Sequence, residues 1–126
     1  MTAPNKLVLV VEDDAELRES LCAYLRDEGF DTEGAADGAE ALARAHINRP
    51  DAIVLDLMMP VMDGLQLMEA LSDDPDLAEI PIFVVSGRAE DAPHTDRVSV
   101  FSKPVDVEAL LRALQAKIDH GASHVN

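Results

Sequence analysis

The sequence contains few of the residues on which several classes of protein depend. It has one cysteine, one tyrosine, three phenylalanines and no tryptophan. The single cysteine, Cys22, cannot form an internal disulfide bond, and its apolar neighbours Leu21 and Leu25 indicate a buried thiol. No apolar run approaches the roughly 18 residues that a membrane-spanning helix needs. No basic stretch followed by an apolar one, the mark of a signal peptide, opens the chain. We therefore expect a cytoplasmic protein without a membrane partner.

Basic residues are also scarce. The 126-residue chain has 10 Lys and Arg against 25 Asp and Glu, which gives a formal net charge of -15 at pH 7. Nucleic-acid phosphates would be repelled by this charge, so we expect no direct nucleic-acid partner. Hydrophobic residues make up 48% of the chain, enough to bury one core. Length and composition together predict a single domain over residues 1–126.

The chain alternates between segments typical of strands and segments typical of helices. Apolar runs predict strands at Lys6–Val11, Ala52–Asp56, Ile80–Val85 and Val98–Phe101, and a weaker one, interrupted by Gly34, at Phe30–Ala35. Apolar residues at helical spacing predict helices at Asp14–Asp27, Asp37–Asn48, Gly64–Leu71 and Val105–Ile118. Asp14 and Asp37 are interpreted as the N-terminal caps of the first two helices. This alternation predicts an α/β fold, a doubly wound parallel sheet with helices on both faces.

Polar side chains follow the predicted strands where each strand ends. Glu12 and Asp13 follow the first strand, Asp56 ends the third, Ser86 follows the fourth and Lys103 follows the fifth. Ligands of open parallel sheets bind outside the carboxyl ends of the strands, so we expect these five side chains to meet at one edge.

The residue types at this edge indicate phosphoryl-transfer chemistry. Three carboxylates in close proximity cannot all stay ionised unless a cation lies among them. Mg²⁺ prefers such oxygen ligands and is usually held by one or two carboxylates, water and a phosphate oxygen. The ammonium group of Lys103 suits a phosphoryl oxygen, the hydroxyl group of Ser86 can donate a hydrogen bond to another, and one carboxylate remains as a nucleophile.

Five segments of the chain carry a resemblance to a known family. They are "LVVEDDAELR", "ADGAEAL", "DAIVLDLMMPVMDGLQLMEAL", "IPIFVVSG" and "FSKPVDVEALLRAL", in this order between Lys6 and Asp119. Together they resemble the receiver domain of two-component response regulators. The resemblance implies a flavodoxin-like sheet of five strands in the order 2-1-3-4-5, with a core over about residues 6–119 and a tail at 120–126.

The resemblance also implies a role for each residue at the strand ends. Asp56 would accept a phosphoryl group from a histidine kinase or a histidine phosphotransfer protein. Mg²⁺ would be bound by Asp13 and Asp56 directly, by Glu12 through a water molecule, and by the backbone carbonyl group of Met58.

Two further residues of the set would contact the phosphoryl group. Ser86 would do so through its hydroxyl group and Lys103 through its ammonium group. The resemblance also implies a cis peptide bond before Pro104. The protein would phosphorylate itself without being a turnover enzyme, and would thereby change a surface that binds an unknown protein partner.

The sequence departs from the receiver pattern between Ser86 and Lys103. This segment is shorter than in most receivers by roughly one and a half helical turns, and Pro93 interrupts it. We predict that the usual fourth helix, at residues 88–97, is absent or reduced to a turn. The position that usually holds an aromatic switch residue is Val100. Its neighbour Phe101 should point to the opposite face of the sheet and should not replace that switch.

Two other functions remain open on the residues alone. A pseudo-receiver would bind a protein partner without phosphorylation. The altered segment before Lys103 modestly favours it, whereas the complete set of acids, serine and lysine at the strand ends opposes it. A Mg²⁺-dependent phosphohydrolase would also form an aspartyl phosphate, but such enzymes carry a second aspartate two residues after the nucleophile, where this chain has Met58. Because little follows the last predicted helix, we expect no output domain after it. The four histidines show no ligand-like spacing and are read as surface residues: His46, His94, His120 and His124.

Overall fold

The computed structural model of the protein describes residues 5–56, 64–87 and 96–119. Strands and helices alternate along these residues, as β1 (Leu7–Val11), α1 (Ala15–Asp27), β2 (Asp31–Ala35), α2 (Gly38–Ile47), β3 (Ala52–Asp56), α3 (Gly64–Ser72), β4 (Ile82–Ser86), β5 (Val98–Ser102) and α4 (Val107–Leu114). A π-helical turn, Gln115–Asp119, continues α4. The strands form one parallel sheet in the order β2-β1-β3-β4-β5, which confirms the predicted doubly wound order 2-1-3-4-5.

Two apolar layers cover the sheet, one on each face. Alternate residues of β1 divide between them: Leu9 and Val11 pack in the layer with α2 and α3, whereas Val8 and Val10 pack in the layer with α1 and α4. All five residues of β3 are buried because this strand lies in the middle of the sheet. The continuous apolar runs in the sequence are therefore strands covered on both faces.

Aspartates cap the first two helices as the sequence predicts. The Oδ1 atom of Asp14 accepts a hydrogen bond from the backbone N–H of Leu17 at 3.2 Å, and that of Asp37 accepts one from Glu40 at 2.8 Å. After α1, Gly29 adopts a φ of +101°, a conformation that only glycine adopts readily, and the chain then turns into β2.

Two predicted boundaries shift by two residues. β4 begins at Ile82 and not at Ile80, because the backbone N–H of Ile80 donates to the Leu77 carbonyl in a turn and Pro81 has no N–H for a sheet ladder. The last helix begins at Val107 and not at Val105. Asp106 caps it, since its side chain accepts from the backbone N–H groups of the second and third helical residues.

The structure confirms the predicted opposite orientation of the two residues in β5. Val100 packs against the layer that contains α2 and α3, whereas Phe101 packs against the layer that contains α1 and α4. The predicted loss of the usual fourth helix concerns residues 88–97, of which 88–95 lie outside the described residues. Asp96 and Arg97 form a turn that leads into β5.

Other sequence predictions concern single residues. Cys22 is a buried free thiol, as expected. His46 lies on the surface and contacts Asp74, with 2.6 Å between Nε2 and Oδ2. His94, His120 and His124 lie outside the described residues. Within the described residues, the helices all lack the length and apolar character required to cross a bilayer.

Candidate functional site

The carboxyl ends of β1 and β3 bring three acidic side chains together. Glu12 and Asp13 directly follow β1, and Asp56 is the last residue of β3, two neighbouring strands in the sheet. One carboxylate oxygen from each of the three lies within 4.8 Å of the others. Glu12 and Asp56 are buried, with 4% and 6% of their surface exposed, whereas Asp13 is exposed. The cluster is thus open to solvent on the side of Asp13.

Lys103 joins this cluster from the end of β5. Its Nζ atom lies 3.2 Å from Oδ2 of Asp56 and 3.6 Å from Oε1 of Glu12. The peptide bond between Lys103 and Pro104 is cis, as the resemblance implied. The ammonium group therefore bridges two buried carboxylates, one just after β1 and one at the end of β3.

Ser86 completes the set at the end of β4. The residue is buried, and its backbone carbonyl accepts a hydrogen bond from the N–H of Lys103 at 3.1 Å. This bond ties the end of β4 to the residue that reaches Asp56. Ser86, Lys103 and the three acids thus lie at one edge of the sheet, where the sequence places them.

The crowding of charged groups at this edge changes the pKa values of Glu12 and Lys103. Burial raises the pKa of Glu12 from its ordinary 4.5 to about 7, and the hydrogen bond to the Asp13 side chain and the charge of Asp56 add to the rise, whereas the Asp14 backbone N–H and Lys103 oppose it. Burial alone would lower the pKa of Lys103, but the charges of Asp56 and Glu12 and hydrogen bonds to both outweigh burial and raise it.

Asp14, the acid that follows Glu12 and Asp13 in the sequence, has a different position. Asp14 caps α1 with its side chain, and its backbone N–H donates to Oε2 of Glu12 at 3.2 Å. The group of carboxylates close enough to share a metal ion contains Glu12, Asp13 and Asp56 but not Asp14. This agrees with the sequence interpretation of Asp14 as a helix cap.

The donor set at this edge fits a small divalent cation. All three candidate side-chain ligands are carboxylates, with no sulfur or nitrogen donor among them, and such sites favour Mg²⁺ or another oxygen-seeking ion over zinc. One open, exposed ligand leaves room for water or a substrate oxygen. Met58, whose carbonyl group the resemblance adds to the set, lies outside the described residues.

One contact at this edge was missed by the sequence analysis. Arg18, in the first turns of α1, donates a hydrogen bond from Nη1 to the backbone carbonyl of Glu12 at 2.7 Å. No spacing rule identifies such a contact, because an arginine on a half-exposed helix face usually extends into solvent. The only available signal was Gly34, a glycine inside a strand that can mark a close approach of another group.

A sizeable cavity among the described residues lies elsewhere. It has a volume of about 540 Å³ and is lined by apolar side chains of α3, β4 and β5, with Glu69, Ser72 and Arg97. None of the clustered carboxylates lines it. The candidate site is therefore identified by its donor groups at the sheet edge and not by the depth of a pocket.

Comparison with known proteins agrees with this geometry. The sequence model of the response regulator receiver domain matches residues 8–115. The transcriptional regulatory protein PrrA of Mycobacterium tuberculosis is 47% identical over 89 residues, which cover 71% of this chain and 36% of PrrA. The DNA-binding response regulator MtrA of the same species is 39% identical over 90 residues, which cover 71% of this chain and 38% of MtrA. The matched region is thus little more than a third of these relatives.

Solved structures match over nearly their whole length. The response regulator receiver protein of Pseudomonas putida is 35% identical, with a TM-score of 0.82 over 91% of this chain and 99% of that one. The chemotaxis protein CheY4 of Vibrio cholerae is 32% identical, with a TM-score of 0.79 over 90% and 98%. The chain therefore belongs to the receiver domain family of response regulators.

Proposed function

We propose that Asp56 accepts a phosphoryl group in two-component signal transduction, from a histidine kinase or a histidine phosphotransfer protein, and that this changes a surface that binds a protein partner. The observation that supports this most strongly is the meeting of Asp56, Asp13, Glu12 and Lys103 at the carboxyl edge of the sheet. A buried carboxylate that is held by an ammonium group and flanked by two more acids suits an acceptor.

The transfer step follows from the positions of these groups. A carboxylate oxygen of Asp56 attacks phosphorus, the bond between phosphorus and the donor's imidazole nitrogen breaks, and its electron pair stays on that nitrogen. Lys103 then moves from the carboxylate to a phosphoryl oxygen, over a short distance because its Nζ is already 3.2 Å from Asp56. The hydroxyl group of Ser86 donates a hydrogen bond to another phosphoryl oxygen.

The acids of the site would hold Mg²⁺. Asp13 and Asp56 would bind it directly, Glu12 through a water molecule, and the carbonyl group of Met58 would be a further ligand. When bound, the ion offsets the negative charge of the carboxylates and of the incoming phosphoryl group. Lys103 cannot do this alone, because one ammonium group faces three carboxylates.

Several broader parts of the proposal concern the protein beyond this site. We propose one receiver domain over residues 1–126, with its core at about 6–119, that phosphorylates itself and is not a turnover enzyme. The identity of its protein partner is open. The absence of a nucleic-acid partner is predicted from the net charge of -15 alone, and the relative MtrA is named as a DNA-binding protein.

Incubation with acetyl phosphate and MgCl₂ tests the proposed acceptor. Wild type should gain one phosphoryl group, and Asp56→Asn should gain none. Asp73→Asn is the matched control, because it removes an exposed aspartate away from the clustered acids. Phosphorylation of Asp56→Asn at the wild-type level would refute the assignment. A folded wild type that gains no phosphoryl group from this reagent or from any kinase of the host would favour the pseudo-receiver instead.

A further inference from the structure

The backbone carbonyl of Glu12 is held by a side chain from a different element. Arg18 lies six residues further on, in α1, and its guanidinium group reaches back to this oxygen at 2.7 Å. The N–H of Glu12 donates to the Ala35 carbonyl at the end of β2, at 3.0 Å. Both polar backbone groups of Glu12 are therefore bound, although the residue lies beyond the end of β1.

The carbonyl held by Arg18 belongs to the peptide unit that joins Glu12 to Asp13. A peptide unit is planar, so fixing its oxygen fixes the rotation of the whole unit. The direction in which the Asp13 side chain leaves the backbone depends on that rotation. One hydrogen bond from Arg18 thus holds the backbone unit that joins Glu12 to Asp13, two of the three clustered acids.

Gly34 in β2 provides the space that this contact needs. A Cβ atom on Gly34 would lie 3.1 Å from Cδ and 3.3 Å from Cγ of Arg18, which is closer than side chains normally pack. Gly34 pairs with Val10 and faces the same layer as α1. Its φ is not positive, since Gly29 alone among the described glycines has that conformation. Packing space and not backbone conformation is what Gly34 supplies.

We propose that Arg18 is a positioning residue for the cation site, and that Gly34 permits its position. This inference rests on the proposed function, because it requires that Glu12 and Asp13 hold a cation. Among the described residues, Arg18 binds a neutral carbonyl and no carboxylate, so it orients the ligands without competing for their oxygens. We therefore expect substitution of Arg18 to change the affinity of the site for the cation.

The sign of the effect separates positioning from simple electrostatics. Removing a positive charge near three carboxylates would, by Coulomb attraction alone, make Mg²⁺ bind more tightly. Loss of positioning makes Mg²⁺ bind more weakly, by about tenfold, as is common when a residue that orients metal ligands is removed. A role in stability alone would leave the affinity unchanged.

Calorimetric titration of the full chain with MgCl₂ tests the proposal. Arg18→Met keeps the aliphatic packing over Gly34 and removes the donor. Arg26→Met is the matched control: Arg26 is also in α1 and donates to a β2 residue, Thr32, at 2.9 Å, but at the other end of the strand. We expect about tenfold weaker binding for Arg18→Met, no weakening for Arg26→Met, and partial recovery for Arg18→Lys. Equal affinities of wild type and Arg18→Met would overturn the proposal.

Gly34→Ala provides a second test that does not depend on Arg18→Met folding. It should weaken Mg²⁺ binding in wild type and have no effect in an Arg18→Ala background, where no side chain is left to be displaced. An effect of equal size in both backgrounds would overturn the role of Gly34. If wild type itself binds no Mg²⁺, the proposed function fails together with this inference. If wild type binds Mg²⁺ and Arg18→Met binds it equally well, only this inference fails.

Discussion

Lys103 and Asp56 form an ion pair across 47 residues of sequence, with Nζ 3.2 Å from Oδ2. Lys103 directly follows β5 and Asp56 ends β3, and β4 lies between these two strands in the sheet. The contact exists because parallel strands deliver their carboxyl ends to one edge. This ammonium group is thus bound to a carboxylate oxygen of Asp56, the residue that attacks phosphorus in the proposed reaction.

Lys103→Gln is therefore expected to change two measurements in opposite directions. Mg²⁺ should bind about thirtyfold more tightly, the effect of removing one positive charge at about 4 Å from a divalent ion in a solvated setting, close to 2 kcal/mol. Phosphorylation of Asp56 by acetyl phosphate at saturating Mg²⁺ should slow by more than about tenfold, since a group that contacts the phosphoryl oxygens is lost. Lys117→Gln is the control and should change neither, because Nζ of Lys117 donates to the Asp96 carbonyl, away from the clustered acids. A slower reaction with weaker Mg²⁺ binding would contradict this account of Lys103.

The raised pKa of Glu12 predicts how the stability of the protein in a chelating buffer depends on pH. Its pKa is about 7 in the folded state against an ordinary 4.5, so between these values the folded state holds more protons than the unfolded state. The free energy of unfolding should therefore fall as pH rises from 4.5 to 7. Because the site opens to solvent, we expect a loss of about 1–2 kcal/mol, well below the full value of the shift.

Glu12→Gln should remove this loss, because an amide does not titrate. Urea denaturation at several pH values measures the difference between the two proteins. The same pH dependence in wild type and Glu12→Gln would show that another group causes it.

Gly29→Ala is expected to lower stability without affecting the site. Gly29 has a φ of +101° and no atom within 4 Å of the place a Cβ would occupy, so the cost is conformational and amounts to about 1–2 kcal/mol. The Mg²⁺ affinity should stay at the wild-type value, which makes this variant a useful contrast to Gly34→Ala. Urea denaturation and calorimetry measure the two quantities. An unchanged free energy of unfolding would contradict the conformation of this turn.

The elements that could be predicted from the sequence are those whose signal is local. Ala52–Asp56 is an unbroken apolar run ended by an acid, and β3 has the same bounds. Asp14 and Asp37 precede helical spacing and both cap helices. The meeting of Asp13, Asp56 and Lys103 followed from topology, because every strand end lies at the same edge of a parallel sheet.

Two features could not be predicted: the direction of the Arg18 side chain and the residue at which β4 begins. Nothing in the order of residues shows that Arg18 turns back to the Glu12 carbonyl, because this contact depends on the direction of a long side chain that passes close to Gly34. The start of β4 was predicted too early because Ile80 and Pro81 are apolar and extend the hydrophobic run. The strand begins at Ile82, where the sheet hydrogen bonds begin, and hydropathy does not report hydrogen bonding.

A single titration tests most directly whether the clustered acids hold a divalent cation. Wild type, Asp13→Asn and Asp14→Asn are titrated with MgCl₂ by calorimetry. The two variants lose the same charge from adjacent residues, and asparagine caps a helix about as well as aspartate. We predict that Asp13→Asn binds Mg²⁺ more than about tenfold more weakly than wild type, and that Asp14→Asn stays within about twofold of wild type. Equal affinities for Asp13→Asn and Asp14→Asn, or no binding by wild type, would contradict the account.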